Sequence, residues 1–295
     1  MTNENIVRDR LDQSLIGMTK EAVISLIDPR QVQLPEVQLE IKETDQPMIH
    51  FVFYGVLLFM SGYLVMFGNI AVTYIGYTIA TLITPALLFA WLFNISSNKG
   101  ERLPVYFLCF GWGAFSGIFA GVINGAIEYD YLQQIAAAFV EEPMKILGVY
   151  LLVKRGDSDG YFMDHLDGFL LGAAAGAGFT AVEDFSKVYS FMLTGEVEPN
   201  YVLLMRVLTA LGHVFYSAIV GRSLGLAKAV KGRVTYTDLL PGLMVAILFH
   251  ALWNVLESLF SLAILWVFMV FSFRRLVLQA ITDKREWTGR ARLDL

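Results

Sequence analysis

Apolar residues in this chain form long continuous blocks separated by short polar stretches. Each block is roughly 17–25 residues long, the length that a helix needs to cross a bilayer core of about 30 Å. The strands of an outer-membrane barrel would alternate between apolar and polar residues instead. We therefore predict an all-α fold, a polytopic membrane bundle of eight transmembrane helices over residues 48–67, 70–93, 103–124, 131–153, 168–193, 201–227, 239–256 and 258–279.

The connections between the predicted spans alternate in charge. Those after the second, fourth and sixth spans carry lysine and arginine, as do the segments before the first span and after the last. The connections after the third and fifth spans are acidic, with Glu128 and Asp130 in one and Glu196 and Glu198 in the other. Short cytoplasmic loops are enriched in lysine and arginine, so both termini are predicted to be cytoplasmic.

Composition narrows the class of protein further. The chain is 56% hydrophobic and 17% charged, against about 45–50% and about 25% in soluble domains, which excludes a soluble globular enzyme. The basic residues are dispersed and the net charge is −5, which argues against a nucleic-acid partner. A single cysteine, Cys109, excludes an intramolecular disulfide and a thiolate zinc site. We expect a multi-pass protein of the cell membrane, with the lipid bilayer as its surroundings.

The chain divides into three predicted segments. Residues 1–47 carry apolar residues at helical spacing among charged ones. They predict a cytoplasmic arm that lies on the membrane surface or on the bundle, with a separate regulatory module as the alternative. Residues 48–280 form the predicted transmembrane domain, and residues 281–295 form a cytoplasmic tail.

Ionisable side chains lie inside four of the predicted spans, where a charge at the bilayer centre costs about 2.5–3.5 kcal/mol. They are Glu141, Glu142 and Lys145 in the fourth span, Glu183, Asp184 and Lys187 in the fifth, His213 in the sixth, and His250 in the seventh, with Asn254 one turn further on. A helical rise of about 1.5 Å per residue puts them roughly 10–18 Å from the non-cytoplasmic ends of their spans. We predict that they face one another in one layer of the outer half of the membrane.

Some of these residues also allow a structural interpretation. Glu141 and Lys145 are four residues apart, as are Glu183 and Lys187, so each pair could be an ion pair on its own helix. Two histidines at similar depth are harder to explain in that way.

Small residues predict how the spans pack. Glycines at a spacing of four, Gly113, Gly117 and Gly121, favour close approach of the third span to a neighbour, and the segment 172–178 does the same for the fifth. Pro143, beside the acidic pair, predicts a kink in the fourth span.

Carboxylates and imidazoles in an enclosed site suit hydrolysis by an activated water. A buried glutamate can accept the proton of that water. Two histidines and a glutamate can bind Zn²⁺ or another divalent metal and leave a position open; alternatively, histidine and asparagine stabilise the oxyanion directly. The HExxH motif of zinc proteases is absent, and the Gly156-Asp157 pair lies in a loop rather than inside a span.

Four motifs in order resemble the PrsW family of intramembrane proteases. They are Glu141-Glu142-Pro143-Met144-Lys145, then Phe179 followed by Glu183 and Asp184, then His213 to Ser217, and then His250 to Asn254. The resemblance covers roughly residues 100–260, with Lys145 at the spacing of the EExxK motif. The CAAX-prenyl and bacteriocin-immunity proteases are more distant relatives, and they have histidine where this chain has Glu183.

The resemblance implies a glutamic-type or metal-dependent peptidase that cleaves a single-span membrane protein, such as an anti-sigma factor, near its non-cytoplasmic side. We expect Glu141 or Glu142 to be the general base, with Glu183, His213 and His250 as metal ligands or polarising groups. Lys145 is expected to be a supporting counter-charge and Asn254 an oxyanion donor or orienting residue. The role of Asp184 stays open, because that position often carries asparagine in the family.

Three alternatives use the same residues differently. A CAAX-type protease would act on prenylated substrates from a cytoplasmic-facing site. A transporter would use the buried acids as a proton relay, although the two halves of the chain lack the matching broken helices of such proteins. A non-enzymatic scaffold would have no need to retain the acids and both histidines.

Overall fold

The structure is a computed structural model that describes residues 70–95, 103–127, 130–155, 165–194, 199–256 and 258–293. Over these ranges the chain is all-helical, which confirms the predicted fold class there. Seven helices are described: α1 (Ile70–Ile95), α2 (Leu103–Gly125), α3 (Asp130–Arg155), α4 (His165–Thr194), α5 (Pro199–Lys231), α6 (Tyr236–Val255) and α7 (Leu259–Leu293). The predicted arm at 1–47 and the predicted first span at 48–67 lie outside the described residues.

The helix ends agree with the predicted spans to within a few residues, except at the end of α7. That helix continues to Leu293 and so includes most of the predicted tail. Helix α3 is continuous through Pro143.

Three of the described helices are long and apolar enough to cross a membrane: Pro104–Gly125 in α2, Tyr236–Val255 in α6 and Phe260–Thr282 in α7. A shorter apolar stretch, Ile75–Ala90, lies in α1. In α3 and α4, charged residues interrupt the apolar sequence near the middle of each helix, and α5 carries Arg206 and Arg222 on either side of its middle. These three helices are therefore less apolar because they carry the polar cluster described below.

Helix α4 lies against α1, α2, α5 and α7, and almost every side chain along its first half is buried. Its packing against α5 depends on glycine, because a Cβ atom on Gly168, Gly172 or Gly176 would overlap backbone atoms of α5. For Gly176 those atoms belong to His213 and Val214. Small residues at a spacing of four let two helix backbones approach closely, and this contact fixes the position of His213 against α4.

The glycines of α2 do not all serve the predicted role. A Cβ on Gly113 would overlap the backbone of Ala175, and one on Gly117 would make ordinary contact with Phe179 at 3.4–3.5 Å. A Cβ on Gly121 would meet nothing within 4 Å. The prediction of close packing is therefore wrong at Gly121, where a Cβ would meet open space among the described residues.

Candidate active site

Four helices bring their polar residues together in the interior of the bundle. Helix α3 supplies two glutamates and a lysine, α4 a glutamate and an aspartate, and α5 and α6 one histidine each: Glu141, Glu142, Lys145, Glu183, Asp184, His213 and His250. All are buried except Glu183, whose side chain is 20% exposed. The predicted convergence of these residues is thus present in the structure.

Glu142 lies at the centre of the hydrogen bonds in this cluster. Its Oε1 atom accepts a bond of 2.5 Å from Nζ of Lys145 and lies 2.7 Å from Nδ1 of His250. A carboxylate accepts only, so Nδ1 of His250 carries the proton in that contact. The lone pair of this imidazole is therefore on Nε2, which lies 3.7 Å from Oε2 of Glu141.

His213 is held from the opposite side by Lys145. The lysine Nζ lies 2.9 Å from Nδ1 of His213, and because an ammonium group only donates, Nδ1 accepts. Since Nδ1 accepts, Nε2 of a neutral His213 carries the proton, and it lies 2.6 Å from Oε2 of Glu183. The imidazole thus links Lys145 to Glu183, and a metal ion bound to either ring nitrogen would replace one of these two contacts.

Aromatic rings enclose the cluster on two sides. Nζ of Lys145 lies 4.4 Å from the centre of the Phe179 ring, where the negative face of the ring favours a cation. The imidazole of His250 stacks on Tyr216, with ring centres 5.3 Å apart and an angle of 14° between planes. The two imidazoles meet edge to face at 5.1 Å. These rings exclude water and restrict the rotation of both histidines.

The donor set fits a divalent metal ion. Glu141, His213 and His250 each offer one ligand atom, and these three atoms lie within 4.8 Å of one another. Oε2 of Glu141 is buried without a hydrogen-bond partner, which is costly unless another group satisfies it. Imidazole nitrogen and carboxylate oxygen are ligands that Zn²⁺ takes in catalytic sites. This group contains Glu141 where the sequence led us to expect Glu183.

Two residues outside the recognised motifs bind the carboxylates of the site. Nδ2 of Asn124 on α2 donates a bond of 2.8 Å to Oε1 of Glu141. Nη1 of Arg206 on α5 lies 3.3 Å from Oε1 of Glu183 and 3.6 Å from Oδ1 of Asp184. Neither residue was among those predicted from the sequence. Arg206 had a detectable signal, because it is a charge inside a predicted span, seven residues before His213 and on the same helical face.

The remaining predicted residues lie around the cluster. Asp184 is buried and accepts a bond of 3.3 Å from Oγ1 of Thr180. Nδ2 of Asn254 donates to the main-chain oxygen of Gln134 at 2.9 Å and so links α6 to α3. Both roles expected of Asn254, as an oxyanion donor or as an orienting residue, stay predictions.

Local ion pairing accounts for only part of the cluster. Lys145 pairs with Glu142 on its own helix and lies 3.9 Å from Glu141, but it also contacts His213 on α5. Lys187 is exposed, and the cation that binds Glu183 is Arg206 on another helix. The remaining contacts therefore join different helices, as a site shared by several helices requires.

Comparison with known proteins agrees with this geometry. Residues 101–276, more than half of the chain, match the PrsW family intramembrane metalloproteases. No curated protein and no solved structure matches the chain. The matched segment includes every residue of the cluster, and α6, which carries His250, is long and apolar enough to cross a membrane. The chain belongs to the PrsW family of intramembrane metalloproteases, and it is a peptidase of the membrane whose substrates are membrane proteins.

Proposed function

We propose that this protein hydrolyses a peptide bond of a single-span membrane protein, such as an anti-sigma factor, near the non-cytoplasmic side of the membrane. The observation that carries the proposal is the buried group of Glu141, His213 and His250, whose ligand atoms lie within 4.8 Å of one another, with Oε2 of Glu141 buried and without a hydrogen-bond partner. Such a group is costly to bury unless it binds something. A bound catalytic metal ion in a hydrolase would account for the burial of this group.

The proposed topology has eight spans with both termini cytoplasmic. It is supported by the alternation of loop charge and by the position of the site along its helices. Glu141, Glu183, His213 and His250 each lie nearer to the helix end that we predict to be non-cytoplasmic. A substrate would therefore be cut in the outer half of the bilayer.

We assign the metal to Glu141, His213 and His250. When bound, a divalent metal would polarise the scissile carbonyl and make a bound water more acidic. Glu142 orients His250 through Nδ1, and Lys145 neutralises Glu142. Ligating histidines commonly donate their other ring N–H to a carboxylate in this manner. Oε1 of Glu142 is thereby occupied and its side chain is completely buried, so we do not assign it the role of the base.

Glu183 is then the general base. Its Oε2 atom lies 2.6 Å from Nε2 of His213, and its side chain is the most exposed of the acids in the cluster. Such an atom can accept the proton of the attacking water and pass it to the leaving amine. This assignment differs from the expectation from sequence, in which Glu141 or Glu142 was the base and Glu183 a ligand.

Metal content and cleavage, measured on the same purified variants, test these roles. We expect E141Q and H250N to lose both bound zinc and cleavage of a single-span reporter protein. E183Q should keep its zinc and lose cleavage. D238N is the matched control, because Asp238 lies on α6 with His250 but bonds to Lys231 and Thr235 outside the site; it should keep both properties.

The opposite pattern would overturn the assignment. Loss of zinc in E183Q with retention in E141Q would restore Glu183 as a ligand and Glu141 as the base. Full cleavage by E141Q, E183Q and H250N together would exclude a hydrolase at this site, and flux of protons across liposomes would then favour the transporter alternative.

A further inference from the structure

Arg206 is a charged residue in an unfavourable place. It lies inside α5, two turns before His213, and its side chain is only 19% exposed. Even on a lenient scale, an arginine near the bilayer centre costs about 2.5–3.5 kcal/mol. On the proposed topology it lies in the outer half of the membrane, where lysine and arginine are depleted in the flanking loops. Its partners must offset that cost.

Those partners are two acids of α4. Nη1 of Arg206 lies 3.3 Å from Oε1 of Glu183 and 3.6 Å from Oδ1 of Asp184. The guanidinium of Arg206 therefore contacts both the proposed base, Glu183, and the buried neighbour of that base, Asp184. The guanidinium ties the outer part of α5 to α4 at the level of the site.

Glu183 needs such a contact more than the other acids do. Oε1 of Glu142 is bonded to Lys145 and lies beside His250, and both glutamates of α3 are almost completely enclosed by packing. Glu183 is 20% exposed, so packing alone leaves its carboxylate some freedom to rotate. Its Oε2 atom lies 2.6 Å from Nε2 of His213. Arg206 donates to the other oxygen, Oε1, and so fixes the second end of the carboxylate.

We propose that Arg206 is a positioning residue that holds Oε1 of Glu183 and so keeps Oε2 directed to the side of His213. This inference rests on the proposed function. Charge-assisted hydrogen bonds are roughly twice as strong as neutral ones and fix geometry as well as charge. A displacement of about 1 Å in a reacting group can cost about 100-fold in rate. Loss of the bond should therefore slow the chemical step without weakening substrate binding.

Lys187 distinguishes positioning from a general effect of positive charge. It lies one helical turn from Glu183, carries the same charge and is exposed. If nearby positive charge were all that Glu183 required, removal of either cation would have a similar effect. If the hydrogen bond matters, only Arg206 is sensitive. Lysine at 206 should be a partial substitute, because it keeps the charge and loses the planar fork.

The experiment compares R206M, R206Q, R206K and K187M with the wild type in detergent, on the same single-span reporter protein. We expect kcat to fall about 100-fold in R206M and R206Q, with KM within about twofold of the wild type and bound zinc unchanged. R206K should recover part of kcat. K187M should match the wild type in all three measurements.

Two outcomes would overturn the inference. One is a wild-type kcat in R206M and R206Q. The other is a loss of zinc and of thermal stability that parallels the loss of activity in all three Arg206 variants, since that pattern indicates a structural role. E183Q separates this failure from that of the proposed function: if E183Q is inactive while R206M is active, only the role of Arg206 is wrong. Full activity of E183Q would overturn both.

Discussion

Nδ1 of His250 on α6 lies 2.7 Å from Oε1 of Glu142 on α3, although the two residues are 108 positions apart in the chain. This contact fixes the tautomer of the imidazole and directs its Nε2 toward Glu141, at 3.7 Å from Oε2. A carboxylate behind a histidine in this way raises the basicity of the ring and sets its orientation. The second glutamate of the EExxK motif therefore acts through His250.

The first prediction concerns the contact of Glu142 with His250. Substitution E142Q removes the charge that His250 and Lys145 share and leaves one amide oxygen to serve both donors. We expect affinity for Zn²⁺ to fall about 10- to 100-fold, as is typical when such a partner is lost. Titration of purified protein against a competing zinc chelator measures the change. D238N should bind like the wild type, and an unchanged affinity in E142Q would contradict the role given to Glu142.

The second prediction concerns the stability contributed by Lys145. Its side chain is fully buried and its ammonium group contacts Glu142 and His213. K145M leaves a buried carboxylate without its cation, which should lower the free energy of unfolding by about 3–5 kcal/mol. Denaturant titration in detergent micelles measures this.

The double variant K145M/E142Q provides the matched test for Lys145. With the carboxylate neutralised, part of the lost stability should return, because the uncompensated charge is gone. A loss below about 1 kcal/mol in K145M, or no recovery in the double variant, would show that the pair carries less free energy than its burial indicates.

The third prediction concerns the contact between α4 and α5. A Cβ on Gly176 would overlap backbone atoms of His213 and Val214, so G176A must move α5 away from α4. We expect G176A to cost about 1–3 kcal/mol of stability and most of the proteolytic activity, since His213 moves with its backbone. G121A is the control, because its Cβ meets open space. Equal behaviour of the two alanine variants would refute the packing argument.

The fourth prediction concerns topology. Native Cys109 is buried, so an introduced cysteine can be labelled selectively. S158C, after the fourth predicted span, should react with an impermeant maleimide only from the cytoplasmic side, and E196C, after the fifth, only from the outer side. Intact cells and inside-out vesicles separate the two cases. The reversed pattern would turn the site toward the cytoplasm and favour a CAAX-type protease.

The sequence by itself determined the helices and the position of the site along them. Apolar blocks of membrane-spanning length predicted all seven described helices. In the hydrocarbon core, few structures other than a helix let a segment satisfy the hydrogen bonds of its backbone N–H and C=O groups. The same argument located the site, since charges such as Glu141 and Glu183 are too costly in lipid unless they face one another.

The tertiary structure alone decided which atoms meet. Helical spacing on α3 presented Lys145 as a partner for Glu141, yet its short bonds go to Glu142 and to His213 on α5. Likewise Glu183 bonds to Arg206 rather than to the nearer cation in sequence, Lys187. Periodicity along one helix gives the face of each residue but not the rotation and distance of its neighbours. Those follow from close packing such as that at Gly176, and they determine the oxygens left free for chemistry.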